Sequence, residues 1–188
     1  MGTLPDGGTV RPITRWGEPV MHRACQPVEA YDEALATLVA DMAATMEAAD
    51  GVGLAANQIG VDLRVFVFRC PDEDQVMTEG VVCNPVLEVP TGADRDLDDA
   101  EEGCLSLPGA YAPCARPDRA VVRGVDHTGA PVVILGTGML ARCLQHETDH
   151  VAGTVFADRL SKRTRRQLFK EAEEVADEYA PDWPVTAT

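Results

Sequence analysis

Between Tyr31 and Gly51 apolar side chains return at helical spacing: Leu35, Leu38, Val39, Met42 and Met46 keep the i, i+3, i+4, i+7, i+11 pattern of one buried face. Asp32 is placed to cap the start of that helix and Gly51 to stop it. The period then changes. "RVFVF" (64–68), short and rich in β-branched and aromatic residues, predicts a strand. "GVVCNPVLEV" (80–89) predicts two short strands broken at Asn84-Pro85. "RAVVRGVDHTGAPVVILG" (119–136) predicts a hairpin whose turn holds His127, Thr128 and Gly129. Helices are predicted again from about Met139 to Val151 and from Ser161 to about Tyr179. A helix, then antiparallel strands, then helices is the order of an α+β fold rather than of a doubly wound parallel sheet. No repeat or boundary divides the chain, so residues 1–188 are expected to form a single domain, with loosely held ends at 1–9 and 180–188.

Composition narrows the class. A chain of 188 residues with 45% apolar and 25% charged residues can bury a core, and no run approaches the ~20 apolar residues of a membrane span. "MGTLPDGGTVRP" has neither a basic nor an apolar leader segment, and Asp6 breaks the myristoylation pattern, so a cytoplasmic protein without membrane attachment is expected. The 6 cysteines are irregularly spaced with no C-x-x-C, which suits reduced thiols. A net charge of −15 repels phosphate and argues against reading a specific nucleic-acid sequence. The charge is uneven, however: "DRDLDDAEE" (94–102) is acidic, and "RLSKRTRRQLFK" (159–170) holds six of the 16 basic residues.

Two stretches carry candidate chemistry. "GVGLAANQIG" (51–60) contains G-x-G-x-x-A, but a helix precedes it where a dinucleotide site needs a strand, so a nucleotide role is not expected. A helix stop and a tight turn explain its glycines but not "LAANQ", whose small residues and amide could border a cleft. "QHETDH" (145–150) is more specific. His146 and His150, four apart on one helix face, can share a metal ion, and Glu147 is offset so as to take a proton from water on that ion. A catalytic site needs a third protein ligand. The residue three beyond Gly153 is Phe156, which cannot serve. Cys104, Cys143 and Glu171 remain as candidates, with Cys104 favoured by its short segment between Gly103 and Pro108. The residues alone leave a metal-dependent hydrolase, a zinc endopeptidase and a structural zinc site of Cys143, His146 and His150 all open.

In order and spacing, "GVGLAANQ" (51–58), "EGCLS" (102–106) and "QHETDH" (145–150) resemble the three motifs of the peptide deformylase family. "RWGEPVMHRACQPV" (15–28) and Asn84-Pro85 are also similar to it, so the resemblance spans roughly residues 10–170. It implies antiparallel sheets packed around a central helix carrying the H-E-x-x-H motif, with a carboxy-terminal helix. It implies removal of the formyl group from formyl-methionyl nascent peptides by a monomer. Cys104, His146 and His150 would hold one divalent ion, Fe2+ in cells, with Zn2+, Ni2+ or Co2+ able to replace it. Glu147 would be the general base and acid, while Gln58 and the backbone N–H of Leu105 would hold the oxyanion. Gly53 would meet the formyl group, and Val52 and Met139 would border the methionine pocket. Some members carry arginine where this chain has Tyr111, which bears on how the substrate backbone is gripped. Thr148 and Val151 depart from commoner apolar choices without touching chemistry. Two further expectations concern charge: Asp149 pairs with Arg116 to brace the metal helix, and Lys162, Arg163, Arg165 and Arg166 contact the ribosome transiently. The basic start of that last helix opposes its dipole, so local stability does not account for it.

Overall fold

The computed structural model describes residues 3–185; residues 1–2 and 186–188, the outermost parts of the two expected loose ends, lie outside them. Helix α1 (Glu33–Ala48) begins where Asp32 accepts from the Leu35 N–H at 3.1 Å. Its end differs from expectation. Asp50, not Gly51, takes the left-handed backbone, with φ 53°. The N–H groups of Asp50 and Gly51 close back on the carbonyls of Glu47 and Met46 at 3.0 and 2.9 Å, which satisfies two orphan acceptors of the last turn. Gly51 is needed for space instead, because a Cβ there would stand 2.7 Å from Leu105 Cδ1.

Strands β1 (Gly53–Ala55), β2 (Val65–Pro71) and β3 (Met77–Glu88) come next, then the short β4 (Leu97–Asp98), β5 (Glu101–Cys104), β6 (Leu107–Pro113) and β7 (Arg116–Pro117). The hairpin β8 (Arg119–Val125) and β9 (Pro131–Thr137) leads into α2 (Gly138–Val151), and α3 (Lys162–Glu174) comes last. All named pairings are antiparallel: a five-stranded sheet in the order β1-β2-β3-β8-β9, and the two-stranded pairs β4-β7 and β5-β6.

Where two strands are expected across 80–89, β3 is one strand with a register shift between Cys83 and Val86. Asn84 sits there at φ 52°, and its side chain pairs with both the N–H and the carbonyl of Val28 at 2.9 Å. The amide thus substitutes for the ladder bonds lost at the bulge, so the strand continues past Pro85. The last helix stops at Glu174 rather than near Tyr179, and a 3-10 turn (Ala176–Glu178) redirects the chain.

Alternation along β2 divides the core. Val65 and Val67 face α1 with Leu35, Val39, Met42 and Met46, while Phe66 and Phe68 face α2 with Leu140, Cys143 and Leu144. A third cluster, of Met21, Cys104, Ala112, Phe156 and Leu168, joins β5 and β6 to α3. Helix α2 is buried along most of its length although Arg142, Glu147 and Asp149 lie on it. Such a helix is stable only if those charges find partners inside.

Candidate metal centre

The turn from β5 to β6 and one face of α2 bring three donor atoms together. Cys104 Sγ, His146 and His150 lie within 4.8 Å of one another, all buried. His150 Nε2 is 3.2 Å from Cys104 Sγ and 3.0 Å from His146 Nε2. Cys143 and Glu171 are not part of this group. Cys143 Sγ lies 3.5 Å from the Val52 carbonyl, and Glu171 accepts from Gln167 on the surface of α3. The cysteine comes from a strand end some forty residues upstream of His146.

Behind the donors is a buried charge network. Glu102 Oε1 is 2.7 Å from His146 Nδ1, so Nδ1–H donates to the carboxylate and Nε2 faces the cluster. Arg116 donates to both oxygens of Glu102, at 2.5 and 3.0 Å, and to Asp149 at 2.6 Å. Arg142 adds a bond to Glu102 at 2.9 Å, and Arg159 chelates Asp149 at 2.6 and 2.5 Å. The Asp149–Arg116 pair is the expected brace, but sequence reasoning gave Glu102, Arg142 and Arg159 no role. Glu102 opens the "EGCLS" segment, which is the one signal that could have drawn attention to it.

Electrostatics follow from burial and these bonds. Burial would push Glu102 up, but hydrogen bonds from His146 and Arg116 hold it far below the usual carboxylate range. Burial would likewise push His146 down, while its bonds to Cys104 and Glu102 hold it well up. His150 is held well down by burial and by His146. Burial pushes Glu147 up to about 7, and its Oε2 has no hydrogen-bond partner among the described residues.

With both imidazoles neutral, as metal binding requires, their lone pairs and the thiol repel one another unless positive charge lies between them. A proton bridges one pair at a time, whereas a divalent ion satisfies all three donors. Three protein ligands of this kind suit a catalytic ion rather than a closed structural site.

The cluster opens on a cleft. Val52, Gly53, Leu105, Met139 and Tyr111 line it, as do Gln58 and Glu147. Gln58 stands in a 3-10 turn (Ala56–Ile59), where its Oε1 accepts from the Ala55 N–H at 2.8 Å. That bond turns Nε2 toward Cys104 Sγ at 3.7 Å and Ser106 Oγ at 3.4 Å. Asn57 ties the same turn to α2 by donating to the His150 carbonyl at 2.7 Å. A Cβ on Gly53 would lie 2.5 Å from Glu147 Oε1 and 2.9 Å from Cys143 Sγ. Gly53→Ala is therefore expected to destabilise the protein by about 1–3 kcal/mol, measurable by denaturant unfolding, because the Glu147 carboxyl and the Cys143 thiol, both on the packed helix α2, would have to give way together. Tyr111 lies over Gly103, where a Cβ would run into the ring.

The basic residues of α3 divide. Lys162, Arg163 and Arg166 line a groove beside β6. Arg165 is turned inward, pairing with Asp158 at 3.1 Å and lying 5.5 Å from the ring centre of Trp16.

A family model described as polypeptide deformylase matches residues 10–166. Peptide deformylase 1 of Streptomyces avermitilis is 53% identical over 180 residues, covering 96% of this chain and 82% of that protein. Peptide deformylase 2 of Streptomyces coelicolor is 50% identical over 171 residues, covering 90% and 94%. Among solved structures, a peptide deformylase from Legionella pneumophila superposes with a TM-score of 0.80 at 38% identity, covering 90% of this chain and 97% of that one.

Proposed function

Because this chain belongs to the polypeptide deformylase family, we propose that it hydrolyses the N-formyl group of formyl-methionyl nascent peptides, releasing formate. The observation that carries the reading is the meeting of Cys104, His146 and His150 on a cleft that Glu147 and Gln58 also border. A zinc endopeptidase is not favoured: neither a third histidine nor Glu171 joins the donors among the described residues.

Held by Cys104, His146 and His150, a divalent ion would supply the acidified water and the polarised carbonyl oxygen that an unactivated formamide requires. Glu147 takes the proton of the attacking water, and the remaining hydroxyl bonds to the formyl carbon. As the C–N bond breaks, Glu147 returns that proton to the amine nitrogen, and formic acid leaves, losing its remaining proton to solvent as formate. Burial raises Glu147 above the ordinary carboxylate range, which suits it to returning the proton as well as taking it. The Gln58 side-chain amide and the Leu105 N–H donate to the formyl oxygen as charge gathers there, and loss of one such donor costs about 3 kcal/mol. Gly53 brings its backbone to the formyl group, Val52 and Met139 border the methionine side chain, and Tyr111 borders the path of the peptide backbone.

The Cys/His donor set is softer than a carboxylate site, in keeping with Fe2+ in cells and with Zn2+, Ni2+ or Co2+ as substitutes. Chelation is expected to abolish formate release, with recovery on adding Fe2+ without oxygen; activity that survives complete metal removal would refute the ion's role. The deciding assay is formate release from formyl-Met-Ala beside cleavage of an internal peptide bond.

A monomer acting in the cytoplasm meets its substrates at the ribosome. Lys162, Arg163 and Arg166 contact ribosomal RNA, and Arg165 supports them from its inward position. No helix of the described residues is long and apolar enough to cross a membrane. Replacing the three outward residues by Ala is expected to weaken ribosome binding and reduce the slope of log K against log salt by about one per lost phosphate contact. Sedimentation at several salt concentrations would check this, and unchanged binding would exclude the contact.

A further inference from the structure

The end of the chain, whose prolines suggest a loose tail, forms part of the cleft. Beyond α3 the chain crosses β6 as a strap, and Tyr179 and Trp183 line the cleft together with Pro108 and Gly109. Several contacts hold the strap in place. Arg15 donates to the carbonyls of Tyr179 and Ala180 at 3.2 and 3.0 Å, and its guanidinium carbon lies 5.8 Å from the Trp183 ring centre. The Trp183 carbonyl accepts from the Ile13 N–H at 2.9 Å, and the Trp183 side chain packs on the cluster beneath α1. The two rings meet edge to face with centroids 5.2 Å apart. Gly109, at φ 76°, has no room for a Cβ, which would stand 2.6 Å from Val175 Cγ2 and 3.1 Å from the Tyr179 ring. Both rings are anchored on one side and border the cleft on the other.

The lining residues fall into two groups. Cys143 Sγ meets the Val52 carbonyl at 3.5 Å and Met139 begins the same helix, α2, whereas Gly109 packs on Tyr179, and Leu105 and Trp183 both rest on the cluster beneath α1. With the methionine side chain on the α2 side, the strap side is left for the second residue of the peptide. We propose that residues 175–185 are a wall of the substrate cleft, and that Tyr179 and Trp183 recognise the residue after the methionine, favouring a large apolar or aromatic side chain. This rests on the deformylase reading. Rings already fixed by Arg15 lose little freedom when they are covered, so contact made there adds directly to affinity. Arg15 acts as a positioning residue, holding the strap by its backbone.

The test compares formyl-Met-Phe amide with formyl-Met-Ala amide in the metal-loaded enzyme. Trp183→Ala is expected to lower kcat/KM for the phenylalanine peptide about tenfold, through KM, and for the alanine peptide less than about twofold. An equal effect on both peptides, or none on either, overturns the proposal. A titration that does not depend on turnover accompanies it. In a Trp16→Phe chain, Trp183 is the remaining tryptophan, and its fluorescence is expected to change saturably with the product peptide Met-Phe and not with Met-Ala at the same concentration. This decides the matter if Trp183→Ala does not fold, and absence of a Met-Phe response overturns the proposal. A chain that releases no formate but whose Trp183 answers Met-Phe would fail as a deformylase and keep its strap subsite.

Discussion

Glu147→Gln is expected to lower formate release on the order of a thousandfold while the metal content stays unchanged. Glutamine has nearly the same shape, so α2, the packing against Gly53 and the three donor atoms are kept. What disappears is the ability to take a proton from water and hand it to the amine. The metal content, measured beside turnover, distinguishes this from collapse of the site. A substituted protein that remains fully active would remove Glu147 from the mechanism, and one that loses its metal would make the residue structural.

The same substitution has a stability effect whose sign can be worked out. Burial raises Glu147 to about 7 in the folded protein, above its ordinary value. Between about pH 4.5 and 7 the folded form therefore holds a proton that the unfolded form has released, so stability falls as pH rises through that window. Glutamine cannot ionise and escapes the loss. In metal-stripped protein, Glu147→Gln is expected to be no more stable than the parent below about pH 4.5, and roughly 3 kcal/mol more stable above pH 7. Denaturant titrations of both proteins at several pH values would show it, and a pH-independent difference would contradict it. A bound ion reduces the effect, because its charge favours the ionised carboxylate.

Arg116→Ala carries the second large effect, an expected loss of about 3–5 kcal/mol together with roughly 10–100-fold weaker metal binding. Arg116, Glu102 and Asp149 are all nearly excluded from solvent, with side-chain exposures of 3%, 3% and 9%. Removing the guanidinium leaves Glu102 with Arg142 and His146, and Asp149 with Arg159. Each carboxylate keeps a partner, which places the loss nearer the lower figure. Arg116→Lys is expected to recover only part of it, since one ammonium lacks the planar fork that bridges two carboxylates. The metal effect runs through His146, whose ring orientation depends on Glu102. Thermal unfolding with metal titration checks both parts, and a variant unchanged in both would show that the network does not support the site.

Some of this was legible along the chain because it depends on local spacing. The helical period between Leu35 and Met46, the hairpin of β8 and β9, and the i, i+4 placement of His146 and His150 need nothing beyond neighbouring residues. Asn84 shows the limit of that reading. Its amide closes on Val28, 56 positions away, and so carries β3 through a place where local rules predict a break. The third donor shows it again: local spacing kept Cys104, Cys143 and Glu171 all open, and the resemblance to known motifs singled out Cys104.

The sequence by itself determined the α+β order, the pair of histidines with Glu147 between them, and three motifs whose order belongs to one family. Only the tertiary structure decided that Glu102 stands behind His146, that Arg142 closes on Glu102, that Arg165 packs on Trp16, and that Tyr179 and Trp183 return to wall the cleft. The physical reason is common to all four. A period can be read from side chains that share one helix or strand, whereas these meetings join elements far apart in the chain. They are set by which buried charges must find partners and which glycines leave room, and neither is visible until the elements are packed together.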